Sequence, residues 1–253
     1  MADEDFQRIG TGAHHVIALH GWFGSGAAWA PIWPYLDGKT FTYIFLDYRG
    51  YGARRGTAGA YTVPEAAADV LATADKLGLE RFSLFGHSMG GAVMQRVYAD
   101  ARPRVRAMVG LSPVPASGVP FDEQSWQLFT SAADSAESRR AIIDFTTGNR
   151  LTSVWLDAMV AHSLENSDRD AFAGYLPAWA RYDFHQEIAG SDVPIKVIVG
   201  ENDPALSADV MRATYQNWYP KLELEVFGNA GHYAIDETPV ALVSSAERFL
   251  KQF

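Results

Sequence analysis

Short apolar runs alternate with helix-like segments along most of the chain. The runs are rich in β-branched and aromatic residues, and Gly, Asp, Ser or Pro follows each of them. They lie at residues 16–19, 43–46, 82–85, 105–111, 195–199 and 222–227. The first five are almost continuously apolar, which is typical of strands buried on both faces, as in a parallel sheet. The sixth alternates apolar and polar positions, so we expect it nearer an edge of the sheet.

Helix-like segments fill the intervals between these runs. They span residues 64–77, 88–101, 208–218 and 240–253. The first begins at Pro64 and stops before Gly78, which is the usual asymmetry of a helix, because proline suits the first turn and glycine tolerates the left-handed backbone beyond the last. The alternation of strand and helix predicts an α/β fold with a doubly wound, mostly parallel central sheet flanked by helices.

Residues 113–190 break this rhythm and contain no strand-like run. Aromatic side chains recur there at helical spacing, i, i+4 and i+7. The stripes are Tyr175, Trp179 and Tyr182 on one segment and Trp155, Met159 and His162 on another. Such stripes either pack onto the main core or form the underside of a helical cap over a pocket. We therefore divide the chain into a core of residues 1–112 and 191–253 and a helical cap of residues 113–190.

Composition and charge exclude several kinds of partner. The formal net charge is −9, and an acidic surface repels phosphate backbones, so no nucleic-acid partner is expected. No stretch approaches the roughly 20 apolar residues of a membrane-spanning helix, so no membrane association is expected. Cysteine is absent, and residues 1–5 are acidic rather than apolar. Both features predict a cytoplasmic protein without disulfides or thiolate sites.

A glycine-rich turn at residues 86–91, Gly-His-Ser-Met-Gly-Gly, follows the third apolar run and opens a helix-like segment. The pattern G-x-S-x-G between strand and helix forms a nucleophile elbow. We expect a clash with any Cβ at Gly86 or Gly90. The turn places the Ser88 hydroxyl at a helix N-terminus, where free N–H groups favour negative charge. The alternative is an ordinary turn with Ser88 as a helix N-cap.

A nucleophilic serine needs a base to remove its proton, and the base needs an acid to orient it. After such an elbow the acid and then the histidine follow along the chain. Asp203 comes just after the fifth apolar run and is the predicted acid, with Glu201 as the alternative and a turn role as the other interpretation. His232 lies between the sixth run and the last helix and is the predicted base. Gly231 would let its loop approach Ser88.

An oxyanion hole requires two N–H donors. Met89 directly follows the nucleophile and is one predicted donor. The loop at residues 20–26 is rich in glycine, and we assign the N–H of Trp22 as the second donor, although its side chain could also simply pack. The candidate substrate contacts are the aromatic residues Phe23, Trp155, Trp179, Tyr182 and Tyr233.

Other motifs have a structural interpretation. His20 and His87 flank the site at positions that are usually structural. Residues 47–52, Asp-Tyr-Arg-Gly-Tyr-Gly, are expected to form a tight loop that Asp47 and Arg49 hold in place. The histidines lack metal-ligand spacing, and no G-x-G-x-x-G follows a strand. No metal and no cofactor are therefore expected.

Taken together, these motifs resemble the α/β-hydrolase superfamily over nearly the whole chain. The resemblance is carried by His20-Gly21-Trp22, residues 47–52, residues 86–91, Asp203 and His232, in that order. The His-Gly-Trp and Gly-His-Ser-Met-Gly-Gly pairing is similar to small bacterial carboxylesterases and their perhydrolase and haloperoxidase-like relatives. The superfamily commonly begins with a two-stranded hairpin. Here only one short strand, around residues 6–9, fits before the first apolar run, so a shortened N-terminal edge is expected.

The resemblance implies a serine hydrolase with Ser88, Asp203 and His232 as catalytic residues and Trp22 and Met89 in the oxyanion hole. It implies cleavage of carboxylic esters, or lactones, of apolar or aromatic small molecules through an acyl-enzyme. Two alternatives stay open: a carbon–carbon bond hydrolase of ring-cleavage products, and a ligand receptor on the same fold. The expected partner is a small molecule, and the expected oligomeric state is monomer or homodimer.

Overall fold

A computed structural model describes residues 6–253, so the acidic residues 1–5 lie outside it. The described residues form one seven-stranded sheet in the order β1-β3-β2-β4-β5-β6-β7. The strands are β1 (Phe6–Ile9), β2 (His14–Leu19), β3 (Phe41–Leu46), β4 (Phe82–His87), β5 (Val105–Leu111), β6 (Ile195–Gly200) and β7 (Leu222–Phe227). Strand β1 runs antiparallel to β3, and all other neighbours are parallel. The mostly parallel α/β sheet expected from the apolar runs is confirmed.

Eleven α-helices and three short 3₁₀-helices complete the described part of the chain. The α-helices are α1 (Val63–Lys76), α2 (Met89–Asp100), α3 (Glu123–Ser131), α4 (Ala136–Thr146), α5 (Ser153–Glu165), α6 (Arg169–Arg181), α7 (His185–Ile188), α8 (Ala208–Ala213), α9 (Tyr215–Trp218), α10 (Ala234–Glu237) and α11 (Pro239–Leu250). The 3₁₀-helices are Gly26–Tyr35, Gly52–Arg54 and Arg102–Arg104. No helix within residues 6–253 is long and apolar enough to cross a membrane.

The sheet is buried on both faces because helices cover each of them. Along β2, Ile17 and Leu19 point into one apolar core, whereas Val16 and Ala18 point into the other. Helices α1 and α2 cover the first face, and α11 and the 3₁₀-helix Gly26–Tyr35 cover the second. A strand covered on both sides needs apolar residues at successive positions, which explains the continuous runs in the sequence.

The two edges of the sheet agree with the sequence pattern. Strand β7 ends the sheet on one side, and its alternating residues are mostly half-buried or exposed. On the other side the short strand β1 pairs with β3, from Phe6 opposite Leu46 to Ile9 opposite Tyr43. Among the described residues, β1 is thus the one strand that lies beyond β3 at this edge.

Two predicted helices differ in detail from the observed ones. The segment 208–218 forms two short helices because the backbone at Thr214 leaves helical geometry, with φ −123° and ψ −84°. The last helix begins at Pro239 and ends at Leu250, and α10 precedes it. The 3₁₀-helix Gly26–Tyr35 has no periodic signal, and it contains Pro31 and Pro34, which lack the N–H of a regular helix.

The segment between β5 and β6 contains helices α3 to α7 and, within the described range, no strand of the sheet. We call residues 113–190 the helical insertion. Three of its helices begin at side chains that accept a backbone N–H from the first turn: Asp122 starts α3, Ser135 starts α4 and Thr152 starts α5. The insertion also touches the core loop at residues 47–52, where Tyr51 forms an isolated antiparallel bridge with Ser167.

Helix α2 lies so close to the end of β2 that we expect Gly90→Ala to destabilise the protein strongly. A Cβ at Gly90 would lie 2.2 Å from the carbonyl oxygen of Leu19, and backbone must move to relieve that contact. The free energy of unfolding should fall by at least about 2 kcal/mol, measured by urea unfolding. The control is Gly228→Ala, whose Cβ would meet nothing closer than 3.8 Å. Equal unfolding midpoints for both variants would contradict this packing.

Candidate active site

Ser88 lies in the turn between β4 and α2, and its backbone is strained. Its φ of 52° and ψ of −119° are unfavourable for a residue with a side chain. The N–H of Ser88 donates to the carbonyl of Leu111 at 3.0 Å, and the N–H of Val114 donates to the carbonyl of Ser88 at 2.9 Å. A Cβ at Gly86 would lie 2.5 Å from the Gly90 carbonyl oxygen. Together with the contact of Gly90 described above, this confirms the predicted need for glycine at positions 86 and 90.

The side chains of His232 and Asp203 form a buried pair. The Nδ1–H of His232 donates to Oδ2 of Asp203 at 2.7 Å. The other carboxylate oxygen accepts the N–H groups of Ala205 and Leu206, each at 3.0 Å. Because Nδ1 carries the proton, a neutral His232 leaves its Nε2 free to accept one. The arrangement can therefore take a proton from a nearby hydroxyl.

The electrostatics of the pair keep Asp203 ionised. Burial alone raises the pKa of the Asp203 carboxyl, but the charge and hydrogen bond of His232 and the N–H of Leu206 outweigh it, so its pKa lies below the ordinary value. Glu201 is exposed and accepts the N–H of Asn229 at 2.8 Å instead. The structure therefore pairs His232 with Asp203 rather than with the alternative acid.

The loop that carries His232 is held by the helical insertion. The N–H of His232 donates to the carbonyl of Thr146 at 3.1 Å. A Cβ at Gly231 would lie 2.7 Å from Cα of Thr147. The glycine thus permits close approach to the insertion, whereas the sequence suggested close approach to Ser88.

The loop at residues 20–26 lies against the turn that carries Ser88. A Cβ at Gly21 would lie 3.0 Å from Cβ of Ser88. The carbonyl of Gly21 accepts the Nδ1–H of His20 at 2.8 Å and the N–H of Gly24 at 3.0 Å. Within residues 6–253, neither the N–H of Trp22 nor the N–H of Met89 donates to another protein group.

His20 and His87 are buried, neutral supports of these loops. Burial lowers the pKa of His20 to about 4, although Asp47 opposes the shift. Burial and the neighbouring His232 lower the pKa of His87 to about 3. The Nε2–H of His87 donates to the carbonyl of His232 at 2.9 Å. Their structural interpretation from the sequence agrees with these contacts.

Two chambers meet at Ser88 and His232. The larger chamber has a cavity volume of about 60 Å³, and its wall is mainly aliphatic and aromatic. Its apolar lining includes Val114, Val119, Phe121, Phe129, Ile142, Trp179 and Leu206. Six of these seven residues belong to the helical insertion, and Leu206 belongs to the core. The chamber is thus suited to an apolar group next to the hydroxyl of Ser88.

The smaller chamber has a cavity volume of about 20 Å³, and its wall is more polar. His20, His87 and Asp236 line it together with Trp29 and Met159. A cavity of this size admits a group about as large as one water molecule. The two chambers therefore differ both in size and in chemistry.

The predicted substrate contacts divide into three groups. Phe23 and Tyr233 line both chambers, and Trp179 lines the larger one. Trp155 is not among the lining residues but packs edge-on against Tyr233, with ring centroids 5.3 Å apart. Tyr182 lies in a separate surface groove. Helix α6 ends at Arg181, so Tyr182 leaves the face that carries Trp179.

Sequence reasoning missed Phe121 and Asp236 as parts of the site. Phe121 precedes α3 and has no periodic partner in the sequence, so no signal distinguished it. Asp236 lies four residues after His232 on the short helix α10. Burial and the neighbouring Glu237 raise the pKa of Asp236 to about 6, while a contact with Trp155 opposes the rise. Among residues 6–253, no three His, Cys, Asp or Glu side chains are grouped to hold a metal ion.

Comparison with known proteins places this arrangement in a family. Residues 14–172, more than half of the chain, match the alpha/beta hydrolase fold family. The chain belongs to this family. The α/β hydrolase is 26% identical over 254 residues to a pimeloyl-acyl-carrier-protein methyl ester esterase from Klebsiella pneumoniae, covering 95% of each chain. It is 26% identical over 229 residues to 3-oxoadipate enol-lactonase 2 from Acinetobacter baylyi, covering 87% of this chain and 82% of the relative.

Solved structures show the same fold for this α/β hydrolase. An esterase from Exiguobacterium antarcticum superposes with a TM-score of 0.87 at 18% identity, covering 97% of this chain and 94% of that one. One relative is longer: the α/β hydrolase spans 61% of the dihydrolipoyllysine-residue acetyltransferase component of the acetoin cleaving system from Cupriavidus necator, with 26% identity. The fold and the hydrolase family are thereby established.

Asp236 provides a test of the charge balance in the smaller chamber. Its pKa rises from 3.8 to about 6 on folding, so in that pH window the folded protein binds more protons than the unfolded chain. Stability then falls as the pH rises through the window. Asp236→Asn removes this cost and should be more stable than the parent by about 1–3 kcal/mol near pH 8, with little difference near pH 4.

The stability comparison is made by urea unfolding at both pH values. Asp209→Asn is the control, because its carboxylate is exposed and it changes the net charge by the same amount. If Asp236→Asn and Asp209→Asn shift stability equally at both pH values, folding does not raise the pKa of the half-buried Asp236 carboxyl.

Proposed function

We propose that this α/β hydrolase is a serine hydrolase that cleaves carboxylic esters, or lactones, of apolar or aromatic small molecules through an acyl-enzyme. The observation that carries the proposal is the 2.7 Å hydrogen bond from His232 to Asp203, in a cavity whose wall includes the strained Ser88. The esterase and enol-lactonase relatives support ester and lactone bonds as the class of bond that is cleaved.

The proposed mechanism assigns a separate task to each group. Asp203 holds the proton on Nδ1 of His232, so Nε2 takes the proton of Ser88 as its oxygen attacks the ester carbonyl. The N–H groups of Trp22 and Met89 bind the oxyanion of the tetrahedral intermediate. His232 then gives the proton to the leaving alcohol, and an acyl group remains on Ser88.

Deacylation reuses the same groups in reverse order. His232 takes a proton from a water molecule, the resulting hydroxide attacks the acyl carbon, and the second oxyanion occupies the same two N–H donors. The carbonyl re-forms as the Ser88 oxygen leaves and recovers the proton from His232. The products are a carboxylic acid and an alcohol, and the enzyme returns to its starting state.

The helical insertion supports an apolar substrate class. It supplies Phe121, Phe129, Ile142 and Trp179 to the larger chamber, and we assign residues 113–190 as the cap of the site. Apolar surface transferred from water into such a chamber contributes about 0.8 kcal/mol for each methylene group. An ester with an extended apolar or flat aromatic group therefore gains binding energy there.

We expect Ser88→Ala to abolish hydrolysis of p-nitrophenyl acetate and butyrate and labelling by a fluorophosphonate probe, since the nucleophile is lost. Asp203→Asn should lower kcat by about 10³- to 10⁴-fold, because the amide favours the wrong imidazole tautomer. Glu201→Gln is the matched control and should keep the parent rate. Turnover is followed by absorbance, and labelling by intact mass.

The outcomes separate a serine hydrolase from a ligand receptor. Sustained turnover with one adduct in the parent, both lost in Ser88→Ala, supports the serine hydrolase. Labelling of Ser88 with only a single turnover favours a ligand receptor. The absence of any adduct, or a loss of activity in Glu201→Gln equal to that in Asp203→Asn, contradicts the assignment.

The larger chamber predicts a chain-length preference. Butyrate carries two more methylene groups than acetate, so the parent should prefer p-nitrophenyl butyrate by about 10-fold in kcat/KM. Phe121→Ala opens the apolar wall and should reduce that preference to about 3-fold. Phe145 lies in the same insertion and is 49% exposed. Phe145→Ala should therefore leave the preference unchanged. Equal preferences in both variants would place the substrate's acyl group elsewhere.

A further inference from the structure

Tyr51 lies in the tight loop at residues 47–52, and the proposed mechanism gives it no task. Its side chain is fully buried. Its hydroxyl donates to the carbonyl oxygen of Trp22 at 3.0 Å. The contact joins two loops that are separated by 29 positions in the sequence, and it ends on the residue whose N–H is the second proposed oxyanion donor.

Trp22 is held at three points. The peptide group between Gly21 and Trp22 contains the Trp22 N–H. It is held through the Gly21 carbonyl, which accepts the Nδ1–H of His20 at 2.8 Å. The peptide group after its Cα is held through its own carbonyl, which accepts from Tyr51. Its indole Nε1–H donates to the carbonyl of Phe172 at 2.8 Å. The direction of the Trp22 N–H is therefore set by contacts on both sides of its Cα.

Tyr51 is itself rigidly placed. Its N–H donates to the carbonyl of Tyr48 at 2.9 Å, and its backbone forms a bridge with Ser167 of the helical insertion. Its ring packs against His20 and Tyr175 with centroids 5.1 and 5.7 Å away. Burial raises the pKa of its hydroxyl well above the ordinary value, so the group stays a donor throughout the working pH range.

We infer that Tyr51 is a positioning residue of the oxyanion hole, whose hydroxyl fixes the peptide that follows Trp22 and so directs the Trp22 N–H at the oxygen of the substrate carbonyl. The inference rests on the proposed function of Ser88 and Trp22. Because negative charge on that oxygen develops fully only in the tetrahedral state, a misdirected donor weakens the transition state more than the bound ester. Loss of the Tyr51 hydroxyl should therefore lower kcat and leave KM nearly unchanged.

Tyr48 supplies a matched control. It belongs to the same buried aromatic cluster and packs against His20, with centroids 4.4 Å apart. Its hydroxyl is buried and, within residues 6–253, has no hydrogen-bond partner. Tyr48→Phe and Tyr51→Phe therefore remove the same atom from neighbouring buried rings, but only Tyr51→Phe removes a contact to Trp22.

The experiment compares the parent, Tyr51→Phe and Tyr48→Phe with p-nitrophenyl butyrate and with phenylboronic acid, which forms a tetrahedral adduct on serine. Tyr51→Phe should lower kcat roughly 10-fold and leave KM within about twofold. Its affinity for phenylboronic acid should fall by the same factor as kcat. Tyr48→Phe should keep the parent kcat and the parent boronate affinity.

Fluorophosphonate labelling of Ser88, read by intact mass, and far-UV circular dichroism show that each variant is folded. A Tyr51→Phe protein that is labelled and folded but has the parent kcat, or that changes KM alone, overturns the role of Tyr51 and leaves the proposed function standing. A parent that is not labelled overturns both. If Tyr51→Phe does not fold, 4-aminophenylalanine at position 51, which keeps a donor at the para position of the same ring, must recover labelling and part of kcat. Failure of that rescue also counts against the inference.

Discussion

The strained backbone of Ser88 is the constraint on which the rest of the site depends. A serine with φ of 52° persists only where its surroundings hold it. Here both of its backbone polar groups are bound to the segment at the end of β5. Helix α2 approaches β2 so closely that Gly90 has no room for a Cβ. The position of Ser88 is therefore a property of the packing between sheet and helix, and the loops that complete the candidate site are built around it.

Those loops are each held from outside the sheet, and the helical insertion holds two of them. The Thr146 carbonyl accepts the N–H of His232, and the Phe172 carbonyl accepts the indole N–H of Trp22. The insertion thus contributes hydrogen bonds that place the site as well as an apolar wall. Its packing and the geometry of the site are physically linked, because any displacement of α4 or α6 acts on the loops of His232 and Trp22.

Burial gives the histidines around Ser88 different roles. His20 and His87 are held neutral by desolvation and use their ring N–H groups to bind backbone carbonyls. His232 instead donates its Nδ1–H to the carboxylate of Asp203, whose pKa lies below its ordinary value. Two of these rings therefore support backbone carbonyls, and the third binds a carboxylate. Asp236 is the opposite case, a carboxyl that burial makes costly to ionise at the wall of the smaller chamber.

The sequence by itself determined the strands, the tight turn at Ser88 and the order of Ser88, Asp203 and His232, because each depends on local periodicity or on a position just after a strand. It could not show which residues contact Tyr182 or Trp155, because helical spacing defines one face of a helix but not the residues that pack against that face. Only the tertiary structure decided that Phe121 and Asp236 line the site and that Tyr51 contacts Trp22. Their surroundings come from segments distant in the chain, and only folding brings those segments together.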